Sequence, residues 1–221
     1  MINRKLLNIL LLGFLSGLTF NAYATDPGFY MGLMLGPASN NGNTILVQTD
    51  RASFPSLPAL TPASPKNKQF GSRLFMGYQV TQYAGVEGGI DYFTGIKYDT
   101  NNVPTCSDAQ VRNRGFDVVG KGVLPFDSFS VFGKLGAALI YQTVSGCINA
   151  DLTQSCGKTQ YTTKIRPTAS VGASYDLNNN WVADVSWNRL MVGGPAKSVD
   201  FYGFGISYHF VNKYCGQFLC D

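Results

Sequence analysis

Apolar and polar residues alternate with a period of two through several stretches of the chain. In residues 163–175 the odd positions are mostly apolar, whereas the even positions are polar or glycine. Residues 181–188 and 201–210 show the same alternation. Because successive side chains of a β-strand point to opposite faces, this pattern predicts strands that have one apolar and one polar face.

The whole chain contains eight such predicted strands, bounded by turn residues. They lie near residues 28–36, 70–80, 84–98, 112–124, 129–142, 163–175, 181–188 and 201–210. The first is apolar on both faces, so its orientation is left open. The connections alternate between short ones (81–83, 125–128 and 176–180) and longer ones (37–69, 99–111, 143–161 and 189–198). An even strand number with this alternation is typical of outer-membrane barrels. We therefore predict an all-β fold, an eight-stranded antiparallel up-and-down transmembrane β-barrel.

The composition supports a β-barrel and excludes several other classes of protein. Charged residues make up 14% of the chain and aromatic residues 13%, whereas about 25% charged residues is usual. This excludes a disordered chain, and the net charge of +4 is too small to indicate nucleic-acid binding. A lipocalin-like barrel or a β-sandwich would bury its apolar faces. Here the polar face carries many charges, and aromatic residues near strand ends, such as Trp181 and Tyr202, fit a lipid-facing girdle.

The N-terminus has the features of a secretory signal peptide. Arg4 and Lys5 precede an apolar run over residues 9–20, and Ala22-Tyr23-Ala24 matches a cleavage site. The alternative is an N-terminal membrane helix, but the run is short for the roughly 20 residues that such a helix needs. We predict a signal peptide over 1–24, a barrel over 25–210 and a short periplasmic tail over 211–221. The predicted location is the outer membrane of a Gram-negative bacterium, as an integral protein.

Three segments resemble a known family. They are GYQVTQYAGVEGGID at 77–91, VGASYDLNNNWVADVSW at 171–187 and GFGISYHF at 203–210. All three resemble the eight-stranded transmembrane domain of the outer membrane protein A family, and the pattern is shared with opacity-type surface proteins. The chain continues for 11 residues after Phe210, so the resemblance implies a barrel-only member without the family's peptidoglycan-binding domain.

The polar face of the predicted strands supplies charged residues to the barrel interior. By parity these are Arg73, Glu87, Asp91, Asp117, Lys121, Lys134, Lys164, Arg166 and Asp184. Five cations against four anions predict a plug of ion pairs, because an unpaired buried charge is costly. The resemblance implies that Glu87 and Lys121 occupy interior gate positions of the family, so we expect them to pair directly. The other two gate positions fall on Ser174 and Asp184, and we expect Lys134 or another cation to balance Asp184.

The last strand suggests an assembly signal and raises the question of catalysis. Phe204, Ile206, Tyr208 and Phe210 form an alternating row that resembles the β-signal read by the barrel-assembly machinery, although any lipid-facing edge would look similar.

Ser207 and His209 share the other face, but a hydrolase also needs an oriented acid beside them. Asp184 should pair near residue 204, away from His209, so we assign no catalytic residue.

Five cysteines in an exported chain suggest disulfides. Cys147 and Cys156 lie in one long loop, and Cys215 and Cys220 lie in the tail at the opposite end of the barrel. Cys147–Cys156 and Cys215–Cys220 are the favoured pairs, while Cys106 could instead bond to Cys147 or Cys156. The spacings lack a CxxC pair and the single histidine is elsewhere, so we predict no metal site and no other cofactor.

The loops and the outward strand ends offer candidate contact sites. Loop 37–69 carries five of the ten prolines and should form no regular element. It is predicted to contact a host surface or an envelope partner, the alternative being a variable solvated loop, and no loop shows a polybasic patch. Arg112, Arg114 and Arg189 have outward parity and could bind lipopolysaccharide phosphates, or simply reach the headgroup layer.

Together these features predict a non-enzymatic outer-membrane protein with a structural role, a surface-adhesion role, or both, through its long loops. The alternatives are a narrow gated porin-like channel and an outer-membrane enzyme that modifies lipid. The expected partners are outer-membrane lipid and lipopolysaccharide, the barrel-assembly machinery and a host or envelope surface, with no nucleic acid and no metal.

Overall fold

The computed structural model describes residues 28–42, 44–48, 56, 60–66, 68–99, 110–145, 148–149, 160–193 and 196–210. The predicted signal peptide, the tail and all five cysteines lie outside these described residues, as do the disulfide pairs predicted for them. In the described ranges no helix is long and apolar enough to cross a membrane.

Twelve strands are formed within the described residues. They are β1 (Gly28–Gly42), β2 (Ile45–Gln48), β3 (Leu60–Pro65), β4 (Gln69–Thr81), β5 (Ala84–Phe93), β6 (Ile96–Asp99), β7 (Gln110–Phe126), β8 (Phe129–Ser145), β9 (Ile148–Asn149), β10 (Gln160–Asp176), β11 (Trp181–Gly193) and β12 (Ala196–His209). Eight of them are long and pair antiparallel in the order β1, β4, β5, β7, β8, β10, β11 and β12. Pairing of β12 with β1, from Tyr30 opposite His209 upward, closes the barrel. The predicted eight-stranded antiparallel barrel is confirmed.

Three short turns join barrel strands at one end, which we call the short-turn end. Thr81 Oγ1 accepts a hydrogen bond from Ala84 N at 3.1 Å in the first turn. Asn178 Oδ1 accepts one from Trp181 N at 2.8 Å in the third. In the second, Asp127 has a φ of 58°, which a two-residue hairpin turn requires and an aspartate tolerates. The turn chemistry is therefore local, and it explains why these three connections were predictable.

The two faces of each barrel strand differ as the alternation predicts. On β1, Phe29, Met31 and Leu33 are exposed on the outer face, whereas Tyr30 and Met34 are buried inside. This settles the orientation of a strand that is apolar on both faces. The other barrel strands also expose large apolar side chains outward, which is the surface that a lipid environment requires.

The prediction that loop 37–69 forms no regular element is wrong. β1 continues to Gly42, and β2 and β3 form an antiparallel pair with Ile45 opposite Ala63. β6 pairs only with Ser64 and Pro65 of β3. Among the described residues, Pro62 pairs with Leu46 of β2 on one side only, and such a strand edge tolerates proline.

The single strand predicted over 84–98 is in fact two, because β5 ends at Phe93 and β6 begins at Ile96. β6 pairs with β7, β3 with β6, β2 with β3 and β9 with β2, so these four short strands extend the barrel sheet at its other end, the long-loop end. We call them the cap sheet.

The cap sheet packs onto the interior of the barrel. Val47, Ala63 and Ile96 are 0% exposed and belong to one continuous apolar cluster with barrel residues such as Val111 and Val199. The half of the interior near the long-loop end is therefore filled mainly by apolar side chains, together with buried amides such as Asn113 and Gln142, which hydrogen-bond to each other at 3.1 Å. The charged residues lie in the other half, towards the short turns.

Candidate functional site

Arg73 on β4 lies at the centre of a buried group of charges inside the barrel. Its guanidinium contacts Asp91 at 3.3 Å, Asp117 Oδ1 at 2.9 Å and Glu87 Oε1 at 3.0 Å. A further bond joins Arg73 Nη1 to Asp117 Oδ2. All four side chains are at most 7% exposed. We call Arg73, Glu87, Asp91 and Asp117 the arginine cluster.

Glu87 links the arginine cluster to a second cation. Lys134 Nζ lies 2.7 and 2.8 Å from the two carboxylate oxygens of Glu87. The Tyr30 hydroxyl donates a hydrogen bond to Glu87 Oε2 at 3.1 Å. The ammonium of Lys134 also lies 5.1 Å from the ring centroid of Phe75 and 4.9 Å from that of Phe132. Both oxygens of this fully buried glutamate are thus hydrogen-bonded, as buried carboxylates require.

Two glycines make room for these side chains. A Cβ atom at Gly89 would lie 2.6 Å from Arg73 Nη2, and one at Gly77 would lie 2.4 Å from Tyr30 Cζ. Any larger residue at either position would displace the group that it faces. The glycines of the GYQVTQYAGVEGGID segment therefore leave space for the guanidinium and the phenol in a narrow interior.

The predicted direct pair between Glu87 and Lys121 is wrong. The pairing of β5 with β7 places Gly85 opposite Lys121 and Val119 opposite Glu87. Lys121 is therefore two residues nearer the short-turn end, where its ammonium lies 4.8 Å from the ring centroid of Tyr30. Lys134, two strands away from Glu87, reaches across the interior to the carboxylate instead.

Of the cations predicted to balance Asp184, Lys134 contacts Glu87 instead, and Lys121 is the interior cation that lies beside Asp184. The carboxylate of Asp184 accepts a hydrogen bond from Ser207 Oγ at 2.9 Å and lines one small cavity with Lys121 and His209. His209 stacks on Tyr30, with ring centroids 5.0 Å apart. The hydroxyl of Ser207 is therefore directed at the Asp184 carboxylate rather than at the His209 imidazole.

Lys164 and Arg166 do not join the buried charges, so their assignment to the interior network is also wrong. They pair with Ile140 and Ala138, in the apolar half of the interior. Lys164 is exposed and Arg166 half-buried, and neither forms an ion pair with another described residue. The predicted excess of cations is therefore reversed, and three inward cations face four carboxylates. The cations are Arg73, Lys121 and Lys134, and the anions are Glu87, Asp91, Asp117 and Asp184.

The outward arginines differ from one another. Arg112 and Arg114 are exposed on β7, and Arg114 lies 5.3 Å from the ring centroid of Tyr92. Arg189 instead forms a two-point pair with Asp200, with Nε–Oδ1 at 2.7 Å and Nη2–Oδ2 at 2.8 Å. The guanidinium of Arg189 is already hydrogen-bonded to Asp200, so Arg189 is a poorer phosphate ligand than Arg112 and Arg114.

The residues of the predicted β-signal lie where the barrel closes. Phe204, Ile206 and Phe210 are exposed on the outer face, and Tyr208 contacts the rings of Trp181 and Phe210 at 5.0 and 5.3 Å. Recognition by the assembly machinery stays a prediction. Among the described residues, no group of three or more histidine, cysteine or acidic side chains is arranged to hold a metal.

Comparison with known proteins identifies the family. The family model described as outer membrane protein beta-barrel domain matches residues 9–210. The chain belongs to this family. The protein is therefore an integral outer-membrane barrel, as predicted. Such barrels carry their long loops outside the cell and their short turns in the periplasm, and we name the long-loop end extracellular and the short-turn end periplasmic on that expectation.

The relatives agree with this assignment. An uncharacterized protein of Coxiella burnetii is 26% identical over 158 residues, which cover 62% of this chain and 64% of that protein. Outer membrane protein A of Serratia marcescens is 27% identical over 154 residues, covering 64% of this chain and 40% of that protein. The matched part of the chain thus spans less than two thirds of either relative. The crystal structure of OprG from Pseudomonas aeruginosa shares the fold, with a TM-score of 0.57, 12% identity and coverage of 86% and 99%.

Sequence reasoning missed Tyr30 and the role of Lys134. Tyr30 lies on a strand that is apolar on both faces, so parity could not place it inside. Its partner glycine in the paired strand, Gly77, is the one available signal, since the register puts Tyr30 opposite Gly77.

Proposed function

We propose that this outer-membrane barrel is a non-enzymatic structural and surface-contact protein, and that its interior is a plug rather than an open pore. The observation that carries this proposal is that the interior is filled at two levels. The arginine cluster and Lys134 occupy the periplasmic half, and the apolar cluster beneath the cap sheet occupies the extracellular half.

A filled interior argues against free diffusion through the barrel. Eight strands enclose a space just wide enough for their own side chains. Here Arg73 and Lys134 reach across that space to Glu87 at 3.0 and 2.7 Å. Solutes would have to break these bonds and also pass the buried cap residues Val47 and Ala63.

The extracellular end is the natural place for contacts with other molecules. Binding residues are often carried on loops that a rigid scaffold positions, and this barrel holds its long connections and the cap sheet at one end. A host surface or another envelope component is the proposed partner there. On the barrel wall, the exposed Arg112 and Arg114 are the proposed ligands for lipopolysaccharide phosphates.

The absence of an enzyme activity is part of the proposal. The one Ser–His combination on the inner face of β12 has its serine hydroxyl bonded to Asp184 and its histidine stacked on Tyr30. In a Ser–His hydrolase the histidine is the base beside the serine, whereas here the Ser207 hydroxyl donates to Asp184.

Planar-bilayer recording tests the plug. We expect the purified wild-type protein to give no steady conductance, and Arg73→Ala, which removes the centre of the arginine cluster, to give more frequent openings. Arg166→Ala is the matched control, because Arg166 also has inward parity. A steady open channel in the wild-type protein would contradict the proposal and favour the gated porin-like alternative.

A deletion strain tests the surface role. We expect it to attach less well to host cells, to leak periplasmic markers, or both, and a plasmid copy should restore the phenotype. Normal attachment together with an intact envelope would count against the proposed role.

A further inference from the structure

An apolar groove of about 340 Å³ lies on the outer wall of the barrel near the short-turn end, across β8, β10, β11 and β12. Two half-buried alanines, Ala173 and Ala183, form its floor. Larger side chains that are exposed on the outer face form its walls, and they are Phe129, Tyr175, Val185 and Phe204. We call these six residues the outer groove.

The register of the strands explains why the wall is depressed here. Tyr175 lies opposite Ala183, and Ala173 lies opposite Val185, so the two alanines are diagonal neighbours on adjacent strands. The flanking strands β8 and β12 place phenylalanines beside Tyr175 and Val185. Two methyl groups are therefore surrounded by large side chains, and the space above them is left open.

The outer groove lies within one leaflet of the membrane. Trp181 and Tyr208 contact each other at the rim, with ring centroids 5.0 Å apart, and such aromatic residues mark a membrane interface. From Trp181 to Val185, β11 advances about 13 Å at about 3.3 Å per residue, which is about 10 Å of depth at a tilt near 45°. One leaflet supplies roughly 15 Å of hydrocarbon, so the outer groove faces acyl chains of the leaflet at the short-turn end.

Packing determines what fills such a groove. Lipid tails are as apolar as leucine, so the hydrophobic effect does not drive an acyl chain from the bilayer into the outer groove. A depression that stays unfilled does lose dispersion contacts along its whole lining. A flexible acyl chain can follow the two alanines between the aromatic walls and recover these contacts, so the shape of the wall favours one held chain.

The charge of the nearby turns selects the headgroup of the lipid. The three short turns carry two carboxylates, Asp127 and Asp176, and neither lysine nor arginine, over residues 81–83, 125–128 and 176–180. Asp176 already has an interaction partner in the protein. Asp127 is exposed and lies two residues before Phe129, at the mouth of the outer groove. A carboxylate at this place attracts an ammonium group and repels an anionic headgroup.

We propose that the outer groove binds one acyl chain of an aminophospholipid, such as phosphatidylethanolamine, with the ammonium group of the lipid beside Asp127. The ligand is a lipid of the leaflet at the short-turn end, not lipopolysaccharide and not an anionic phospholipid. This inference goes beyond the surface-contact role and does not depend on it, because it uses only the barrel wall and its place in the membrane.

Tryptophan quenching by brominated lipids tests the proposal. Trp181 is the next outward residue to Ala183 on β11, so Trp187→Phe leaves it as the single reporter. The full chain is placed in phosphatidylcholine nanodiscs that contain equal fractions of brominated phosphatidylethanolamine, phosphatidylglycerol or phosphatidylcholine. We expect the first to quench Trp181 with about two- to threefold higher apparent affinity than the others, the size that an exposed ion pair supplies.

A reporter on the opposite wall is the control for position. β5 is four strands from β11 in either direction around the barrel, and Val86 is exposed on its outer face near the same rim. Val86→Trp in a chain that has both native tryptophans changed to phenylalanine should be quenched equally by the three lipids. The same headgroup preference at this reporter would overturn the proposal, since it would belong to the whole rim.

Variants assign the preference to the outer groove. Ala183→Phe or Ala173→Phe should fill the floor and abolish the preference, whereas Ala137→Phe, at an exposed alanine on the outer face of β8, should leave it unchanged. Asp127→Asn should remove the preference but not the bound chain. Native mass spectrometry of the released protein checks this, because Asp127→Asn should still retain one phospholipid and Ala183→Phe none.

Three results would overturn the proposal. They are equal quenching of Trp181 by the three lipids, a preference for phosphatidylglycerol, and an unchanged preference in both groove-filling variants while their heat-modifiable mobility shows a folded barrel. A dimer that Ala183→Phe dissociates would show that a second copy of the chain covers the outer groove, and it would overturn the lipid assignment as well. Bilayer conductance and host attachment are measured separately, so the proposed function and this inference can fail independently.

Discussion

The two halves of the barrel interior are closed by different physical means. In the periplasmic half, Arg73 and Lys134 hold Glu87, Asp91 and Asp117 through bonds of defined direction. In the extracellular half, side chains such as Leu190, Val199 and Phe201 are packed without polar contacts to one another, beneath the cap sheet. The same eight strands therefore enclose two layers, one held by directional ion pairs and hydrogen bonds and one held by non-directional apolar packing.

This difference determines how each half should respond to substitution. Removing one member of a buried ion cluster leaves its partners uncompensated, and a residue of the same charge does not restore the geometry. Removing part of an apolar side chain costs transfer free energy and leaves a cavity, but a residue of similar volume is tolerated. Conservative substitutions should thus distinguish the two halves, because they should lower stability in the periplasmic half and be tolerated in the extracellular half.

The largest effect is expected at Arg73. Arg73→Met should lower the free energy of unfolding by about 3–5 kcal/mol, because three buried carboxylates lose their shared cation. Arg73→Lys should restore little of this, since an ammonium lacks the planar fork. Urea unfolding in liposomes measures both, with Arg166→Met as the matched control, expected to lose less than about 1 kcal/mol. Full stability of Arg73→Lys would show that charge alone closes the periplasmic half.

In the apolar half, Leu190→Ala should cost about 2–5 kcal/mol, measured in the same way. Leu190 is 4% exposed, so truncation leaves a cavity under the cap sheet. Leu190→Met, which keeps the volume, should cost less than about 1.5 kcal/mol. If the methionine variant is as unstable as the alanine variant, the apolar half requires the shape of the leucine side chain and not only its volume.

The partner of Glu87 can be identified by double-mutant cycles. Glu87→Gln combined with Lys134→Met should show a coupling of about 1–3 kcal/mol, because the two groups are in direct contact. The matched cycle with Lys121→Met should show a smaller coupling, because Lys121 does not contact Glu87 directly and shares only Tyr30 with it. A larger coupling with Lys121 would restore the pairing that the family resemblance implies.

The smallest effect is expected on the outer face of the barrel, at the Arg189–Asp200 pair. This pair lies two residue pairs beyond Trp187 and Tyr202 of the extracellular aromatic girdle. Hydrogen bonding to Arg189 lowers the pKa of the Asp200 carboxyl. The Arg189–Asp200 pair therefore stabilises the folded protein at pH values above the pKa of Asp200 in the unfolded chain, near 3.9. This stabilisation is lost as the pH falls through the lower pKa that Asp200 has in the folded protein.

Asp200→Asn should accordingly lose slightly less stability than wild type between pH 7 and pH 3. Urea midpoints at the two pH values measure this difference. Asp127→Asn, at an exposed turn carboxylate, is the control and should behave as wild type. An acid response of Asp200→Asn equal to that of wild type would show that the exposed pair contributes nothing.

The sequence by itself determined the features that depend on neighbouring residues. Alternation assigned the outward face of β12 and the inward parity of Arg73, Glu87 and Asp184, because the side-chain period of a strand is two. Short turns were predicted at 81–83, 125–128 and 176–180, and they were predictable because turn residues such as Thr81 and Asn178 act within a few residues. These local signals were enough to predict the eight-stranded barrel.

Only the tertiary structure decided which side chains meet. Register places Lys121 opposite Gly85, and the curvature of the sheet allows Lys134, two strands away, to contact Glu87, a contact that no local pattern encodes. The cap sheet depends on pairing between segments 45–48, 60–65 and 96–99, which lie far apart in the sequence. Parity assigns a face to each residue, whereas register, closure and packing assign its partner, and those depend on the whole chain.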